Sequence, residues 1–280
     1  MNTALFTYRN YLRLLYTVSP DQSTKRAFRL FATPMGPKPK PHEREILDQA
    51  HTDTVEANGS TVTRYRWGKG ERKALLVHGW GGNGGSLGYF VPPLLELGYE
   101  VISFDGPAHH TSTQKHTNLF DYSRVVYHFI QTENVETIVA HSFGCAASTM
   151  ALYDHADAHS VKNLVMMGTP DKLTDVVSDF THQMRFNDKR RIQLFNYLSN
   201  RFQRSIYTVR LSEYLRYAHV PNVLAVHDYA DRIVPHTNSE AVRRKVPGAE
   251  LMTIERVGHY KMLWNEPVKQ RVIEFIKTTK

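Results

Sequence analysis

The spacing of apolar and polar positions changes along the chain and separates an N-terminal part from the rest. Residues 3–18 carry apolar side chains every three or four positions, which predicts an amphipathic helix. Ser19 and Pro20 follow as an N-cap and a first-turn proline, with a capping glutamine at Gln22, so a second helix is expected to end near Phe31. Four prolines within residues 34–41 then predict a stiff, extended linker.

Beyond the linker the pattern changes to short apolar runs that alternate with helical segments. A short helix is expected at 43–50, and a hairpin at 52–57 and 61–67 around Asn58–Gly59. Later strands are expected at about 74–78, 100–104, 136–141, 162–167, 222–227 and 250–255. This alternation predicts an α/β fold with a mostly parallel, doubly wound sheet and helices on both faces.

The gap between Met167 and Pro221 is too long for a single crossover helix. It predicts inserted helices over about 171–218, arranged as a lid. The expected organisation is therefore an N-terminal helical arm with its proline-rich linker over 1–41, followed by a main domain over 42–280 that contains the lid.

One candidate nucleophile follows a β-branched run that ends near residue 141. Ser142 has Ala140 two residues before it and Gly144 two residues after it, which is a relaxed form of the G-x-S-x-G nucleophile elbow. Small residues are needed there because a larger side chain would strike the neighbouring backbone. Taken alone, the pattern is a weak signal, because a serine that only begins a helix as its N-cap also fits it.

Upstream, the apolar run at 74–77 leads into a glycine-rich loop at 79–85. No Lys-Ser or Lys-Thr follows these glycines, which disfavours a phosphate-binding P-loop. A dinucleotide-binding site is rejected too, because Asp105 is the only candidate for its acidic residue and does not support it convincingly. The remaining interpretation is an oxyanion loop. Its donors would be the backbone N–H groups of Trp80 and of Phe143, the residue after the nucleophile.

Downstream of Ser142, two strands end in residues that could activate a hydroxyl. Asp231 lies beyond the strand at 222–227, and His259 lies in the loop after the last strand. The order serine, acid, histidine is the order that a nucleophile elbow requires. His227 is a weaker rival for the base, and Asp228 is a rival for the acid.

Five segments together resemble the α/β-hydrolase fold family. They include His78–Gly79–Trp80–Gly81–Gly82, Ala140–His141–Ser142–Phe143–Gly144, the stretch from Asp228 to Pro235, and Gly258–His259. The fifth, Asp105–Gly106–Pro107–Ala108–His109–His110, departs from the family's Asp-x-Pro-Gly-His-Gly. The resemblance spans about residues 60–280.

The resemblance implies a serine hydrolase of the lidded esterase or lipase type. Ser142 would be the nucleophile, Asp231 the acid and His259 the base, with oxyanion donors at Trp80 and Phe143. His110, which replaces a small residue near the expected mouth of the site, and His141, beside the nucleophile, are candidate substrate-binding residues. A serine in place of an aspartate nucleophile argues against members that open epoxides or displace halides.

The expected reaction is two-step acyl transfer to water from an ester, with thioesters or amides next, and it needs no metal or organic cofactor. An acyltransferase or a peptidase on the same fold remains an alternative, because the triad does not choose the acceptor. A non-catalytic ligand-binding module is the other alternative. The expected partner is a small-molecule acyl substrate.

Composition and charge refine this picture. The 280 residues contain 35 Lys and Arg against 27 Asp and Glu, a formal net charge of +8 that gathers in the arm and in the predicted lid. No known nucleic-acid-binding motif accompanies these basic clusters, so no nucleic acid partner is expected. Contact of these basic clusters with a membrane surface is a weaker alternative to simple exposure to solvent. A homodimer is also compatible with the sequence.

A single cysteine, Cys145, excludes an internal disulfide and fits a reducing compartment. Arg9 and Arg13 interrupt the N-terminal apolar positions, which argues against an export signal, and no stretch approaches the length of a membrane span. We therefore expect a cytoplasmic protein.

Overall fold

An eight-stranded sheet forms the centre of the fold. The structure, a computed structural model, describes residues 3–279. The strands are β1 (His51–Ala57), β2 (Ser60–Trp67), β3 (Arg72–Val77), β4 (Tyr99–Phe104), β5 (Thr137–His141), β6 (Asn163–Met167), β7 (Asn222–Asp228) and β8 (Glu250–Ile254). They lie in the order β1-β2-β4-β3-β5-β6-β7-β8, with antiparallel pairing of β1 with β2 and of β2 with β4 and parallel pairing elsewhere. The prediction of a mostly parallel α/β sheet is confirmed.

Helices precede the first strand, connect the strands from β3 onwards and end the described chain. They are α1 (Thr3–Val18), α2 (Pro20–Phe31), α3 (Pro41–Leu47), α4 (Val91–Glu96), α5 (Leu119–Glu133), α6 (Phe143–Asp154), α7 (Leu173–Gln183), α8 (Asp188–Phe202), α9 (Leu211–Leu215), α10 (Thr237–Lys245) and α11 (Glu266–Thr278). None of the described helices is long and apolar enough to cross a lipid bilayer.

The chain divides into two compact units. The sheet unit comprises residues 34–171 and 211–280 and contains all eight strands. The arm–insertion unit comprises the chain up to Thr33 together with Lys172–Arg210, and it contains α1, α2, α7 and α8.

Within the sheet unit, the central strands are apolar on both faces because helices cover both sides of a parallel sheet. The side chains of β3, β5 and β6 from Ala74 to Val77, from Thr137 to His141 and from Asn163 to Met167 are buried. The hairpin turn is as predicted: Asn58 and Gly59 both have positive φ angles, of 51° and 73°, as a two-residue type I′ turn requires.

Within the arm–insertion unit, the two segments share their apolar cores although more than 130 positions separate them in the sequence. Leu12 and Ala27 of the arm pack in one cluster with Met184. Phe28 and Ala32 pack in a second cluster with the buried side chains Val177, Leu194, Phe195, Leu198 and Ile206 of the insertion.

The beginning of α2 differs from prediction in one detail. Ser19 is the N-cap and Pro20 occupies the first turn, but the Ser19 side chain makes no capping hydrogen bond. Asp21 supplies a negative charge to the first turn instead, which favours the N-terminal end of a helix.

Candidate active site

Ser142 lies on a strained turn between β5 and α6. Its φ of 51° and ψ of −115° are rare for a residue other than glycine, and such strain accumulates at functional sites. Gly144 explains why the turn needs a small residue, since a Cβ there would lie 2.3 Å from the Val77 carbonyl oxygen. The Ser142 N–H donates to the Met167 carbonyl at 2.8 Å, which fixes the turn to the end of β6.

The three residues selected from the sequence form one hydrogen-bonded series. The Ser142 Oγ lies 2.9 Å from His259 Nε2, and His259 Nδ1 lies 2.7 Å from Asp231 Oδ2. A carboxylate can only accept, so Nδ1 carries the proton and Nε2 is left to accept the proton of the serine hydroxyl. This geometry matches a nucleophile, its general base and the acid that orients the base.

The carboxylate of Asp231 is buried and surrounded by donors. Burial alone would raise its pKa, but hydrogen bonds from His227, His259 and the N–H groups of Ile233 and Val234 together hold the pKa far below its usual value. Asp231 is therefore ionised at neutral pH. An ionised carboxylate here stabilises the imidazolium that forms when His259 takes a proton.

The two rivals considered from the sequence have other contacts. His227 Nε2 donates to the Val234 carbonyl at 2.9 Å, and its Nδ1 accepts from the Ser239 hydroxyl at 2.6 Å. Asp228 accepts from the N–H groups of Val257 and Gly258, each at 2.6 Å. His227 Nε2 also lies 3.4 Å from Asp231 Oδ2 and so supports the acid, whereas Asp228 holds the loop that carries His259.

The glycine-rich loop after β3 passes directly beside the serine. A Cβ on Gly79 would lie 2.9 Å from His141 Nδ1 and 3.2 Å from the Ser142 Cβ, which is tighter than side chains normally pack, so glycine suits this approach best. The rings of Trp80 and Phe143 meet edge to face with centroids 4.9 Å apart. Phe143 is the first residue of α6, where the N–H has no acceptor within the helix. The loop and the helix start therefore bring both predicted donor residues next to the nucleophile.

His110 makes a contact that the sequence did not predict. Its Nδ1 lies 2.9 Å from Asp105 Oδ2, and this hydrogen bond, which outweighs partial burial, raises the pKa of His110. Asp105 also accepts from the Gly84 N–H at 2.8 Å and from the Tyr65 hydroxyl at 3.1 Å. His110 thus belongs to a network that ties the glycine-rich loop to the loop after β4, and its role in substrate binding stays a prediction.

His141 lies beside the nucleophile, as expected, but its ring is buried. Burial, and then the neighbouring His259, lower the pKa of His141 to about 3, so the ring is neutral. Its Nε2 donates to the His259 carbonyl at 3.0 Å. The contact of His141 is therefore with the base, which it helps to hold, and substrate contact stays a prediction.

Cys145 lies behind the nucleophile on α6 and is fully buried. Burial raises the pKa of its thiol, so a reactive thiolate does not form at neutral pH. Within residues 3–279, no three His, Cys, Asp or Glu side chains are grouped so that they could hold a metal ion.

The comparison with protein families gives a match that contains the glycine-rich loop and the serine turn. A family model described as the alpha/beta hydrolase fold matches residues 75–204. The sheet order, the strained serine and the family model agree. This chain has the α/β-hydrolase fold.

Solved structures resemble this chain over most of its length. A membrane phospholipase A described as a bacterial virulence factor has a TM-score of 0.64 at 15% identity, covering 100% of this chain and 99% of that chain. An esterase from Pyrococcus furiosus also has a TM-score of 0.64 at 15% identity, covering 89% and 98%. An esterase from Exiguobacterium antarcticum has a TM-score of 0.62 at 20% identity, covering 81% and 100%. No curated protein matches the chain in sequence.

One residue of the site was not predicted from the sequence. Gly168, directly after β6, has a φ of 61°, and a Cβ there would lie 2.8 Å from the His259 Cε1. Glycine at this position leaves room for the imidazole against the backbone. The available signal was a glycine at the carboxyl end of a predicted strand, which is where sites form in open α/β sheets.

Proposed function

We propose that this protein is a serine hydrolase that cleaves a carboxylic ester through an acyl-enzyme. The observation that carries the proposal is the hydrogen-bonded series from Ser142 through His259 to Asp231. A protein that merely held a ligand would have no use for a strained serine turn with a base and an ionised acid behind it.

In the first step His259 Nε2 takes the hydroxyl proton of Ser142 while Oγ attacks the ester carbonyl carbon. The tetrahedral oxyanion would be held by the N–H groups of Trp80 and Phe143, each donor contributing about 3 kcal/mol of transition-state stabilisation. His259 then gives its proton to the leaving alkoxide, and the C–O bond breaks. Asp231 remains ionised throughout and stabilises the transient imidazolium.

In the second step the same imidazole takes a proton from water. The hydroxide attacks the acyl carbon, and the Ser142 Oγ leaves with the proton from His259. Water is thus the proposed acceptor of the acyl group. When a simple alcohol is added to the assay, release of the free acid should remain the main reaction. A large yield of the ester of the added alcohol would instead favour an acyltransferase.

Two observations support carboxylic esters as the substrate class. The neighbouring structures of similar fold include two named esterases and a phospholipase A, all enzymes of ester bonds. The aromatic rings of Trp80 and Phe143 beside the nucleophile also offer an apolar surface to an acyl group. Carboxylic esters are therefore the first substrates to test, followed by thioesters.

The test is covalent labelling with a fluorophosphonate, which forms an Oγ–P bond with loss of fluoride. The folded protein should be labelled at Ser142, as located by peptide mass spectrometry. Ser142→Ala should abolish labelling and reduce ester hydrolysis by roughly 10⁶-fold. The matched control is Ser205→Ala, which removes an exposed serine of the insertion and should retain both. An unlabelled Ser142 in folded protein would refute the proposal.

A further inference from the structure

The oxyanion donor proposed at Trp80 lies on a loop that has little stiffness of its own. Five of the seven residues at 79–85 are glycines, and glycine leaves the backbone freer than any other residue does. A donor stabilises a developing oxyanion best when it is already held in place before the reaction begins. The glycine-rich loop must therefore be fixed by contacts with other parts of the sheet unit.

Two consecutive turns build this loop and connect Trp80 to Asn83. In the first turn the Gly82 N–H donates to the Gly79 carbonyl at 3.0 Å, and Trp80 lies within that turn. In the second turn the Ser86 N–H donates to the Asn83 carbonyl at 3.0 Å. Because Asn83 follows Gly82 directly, a shift of the second turn also displaces the turn that carries Trp80.

The side chain of Asn83 braces the second turn and connects it to helix α3. Asn83 is 4% exposed, and its Oδ1 accepts from the Gly85 N–H at 2.8 Å. Its Nδ2 donates to Glu43 Oε2 at 3.2 Å. The oxygen and the nitrogen of the amide thus have different partners, which fixes the orientation of the side chain.

Glu43 of α3 is a carboxylate that is only 7% exposed. Its Oε2 also accepts from the Lys40 N–H at 2.7 Å, as part of a capping box at the start of α3. Capping alone does not require burial, and it is costly to bury a carboxylate against neutral donors. The contact with Asn83 therefore gives Glu43 a use beyond capping.

Helix α3 can support the loop because the sheet holds α3 in turn. The indole N–H of Trp67 in β2 donates to the Ile46 carbonyl at 3.0 Å, and Leu47 is buried in the core of the sheet unit. The loop also packs on the backbone of α3, since a Cβ on Gly85 would lie 2.7 Å from the Glu43 carbonyl oxygen. A displacement of the loop relative to α3 would break these contacts together.

We propose that Glu43 and Asn83 are positioning residues that set the place of the Trp80 N–H beside Ser142. This inference rests on the ester hydrolysis proposed above, because only that reaction uses the donor. Neither side chain touches the reacting atoms, and the hydrogen bond between them transmits the position of α3 to the loop. Its loss should act on kcat more than on KM, because the oxyanion forms in the transition state.

The test reverses the polarity of this hydrogen bond. Asn83→Asp retains an acceptor for the Gly85 N–H but places a second carboxylate against Glu43, and the two like charges repel each other. This variant should lose about ten- to a hundredfold in kcat on a short-chain ester, with a smaller change in KM. Glu43→Gln added to Asn83→Asp supplies a donor to the new carboxylate and should return kcat to within about threefold of the unmodified protein.

An inhibitor gives a readout that a merely structural role would not change. Ser142 Oγ adds to the carbonyl carbon of a trifluoromethyl ketone while His259 takes the hydroxyl proton, and the carbonyl oxygen becomes an oxyanion that needs the Trp80 N–H. The inhibition constant should rise in Asn83→Asp by the same factor as kcat/KM falls, and it should recover in the double variant. Partial unfolding would instead lower the amount of active protein and leave the inhibition constant unchanged, which would contradict the proposal.

The matched control is Asn58→Asp, which adds the same charge at the exposed hairpin turn and should leave kcat and the inhibition constant unchanged. Unchanged kcat in folded Asn83→Asp, or no recovery in the double variant, would overturn the proposal. Fluorophosphonate labelling of the unmodified protein separates these results from a failure of the proposed hydrolysis, because an unlabelled Ser142 would refute both proposals.

A further variant keeps the test decisive if circular dichroism shows that Asn83→Asp does not fold. Glu43→Ala removes the acceptor of the Asn83 Nδ2 and leaves the sequence of the loop intact. It should lower kcat about tenfold and raise the inhibition constant of the trifluoromethyl ketone in proportion. Full activity of folded Glu43→Ala would show that α3 does not position the loop.

Discussion

Two carboxylates three residues apart illustrate how contacts decide a role. Asp228 is the last residue of β7 and Asp231 follows in the next loop, and both accept hydrogen bonds from backbone N–H groups. Of these two carboxylates, only Asp231 also contacts His259 Nδ1. The pKa of each carboxyl is lowered although burial opposes it, so a depressed pKa does not distinguish the two.

Asp231→Asn should reduce kcat by about 10⁴-fold, because an amide would turn an N–H towards the imidazole and favour the wrong tautomer. Asp228→Asn removes one acceptor from the loop that carries His259. That change should lower the free energy of unfolding by about 1–3 kcal/mol and reduce kcat far less. Steady-state kinetics and urea denaturation of both variants test the assignment. A larger loss of kcat in Asp228→Asn would exchange the two roles.

His110 should make stability depend on pH. Its pKa is raised by the Asp105 carboxylate, so the folded state binds the proton more tightly than the unfolded state does. The resulting stabilisation is complete below the unfolded pKa of about 6.5 and is lost as the pH rises through the higher folded value.

In His110→Asn, which tolerates the positive φ of 39° at this position, that pH-dependent stabilisation should be absent. Urea denaturation should place the variant about 1 kcal/mol below the unmodified protein at pH 5.5, and the difference should shrink by pH 9. A stability difference that grows as the pH rises would contradict this account, because it would mean that the folded state binds the His110 proton less tightly than the unfolded state does.

At the scale of elements, the proline-rich linker contacts the glycine-rich loop. A Cβ on Gly36 would lie 2.0 Å from the Gly81 carbonyl oxygen, which is closer than any real contact. Gly81 follows Trp80, the proposed oxyanion donor. The linker therefore braces the loop from the side of residue 36, a role that the sequence alone did not indicate.

Gly36→Ala should displace the loop at Gly81 and lower kcat by about ten- to a hundredfold with a smaller effect on KM, because the oxyanion donor acts mainly in the transition state. The control, Met35→Ala, changes a neighbouring side chain that is 78% exposed and should leave kcat unchanged. If both variants retained full activity, the linker would not position the loop.

At the scale of the whole molecule, the arm and the insertion form one unit because neither can bury its apolar side alone. Phe28 of α2 is buried in the cluster that contains Leu194 and Phe195, and the Arg201 guanidinium lies 5.0 Å from the centre of its ring. The net charge of +9 on this unit raises its self-repulsion, which the shared core must overcome.

Phe28→Ala should destabilise the arm–insertion unit by about 3–5 kcal/mol. Hydrogen exchange measured by mass spectrometry should show faster exchange in α1, α2, α7 and α8, while the strands of the sheet unit retain their protection. Phe6→Ala, at an exposed position of α1, is the control and should change little. Unaltered exchange in α7 and α8 of the Phe28 variant would contradict a shared core.

Several features could be predicted from the sequence because their causes are local. Apolar runs bounded by glycine and proline located the strands of the sheet within two residues, and Asn58–Gly59 located the hairpin turn. The small residues around Ser142 indicated the turn at the end of β5. Strand periodicity and turn chemistry depend on neighbours in the chain, which the sequence displays directly.

Only the tertiary structure decided which distant groups meet. It joined Asp231 to His259 in preference to Asp228, gave His141 to the His259 carbonyl and His110 to Asp105, and laid Gly36 on the loop at Gly81. It also gathered the separate basic segments into one unit. Such contacts depend on strand order and on the close packing of side chains that lie far apart in the chain, and no local pattern of residues specifies them.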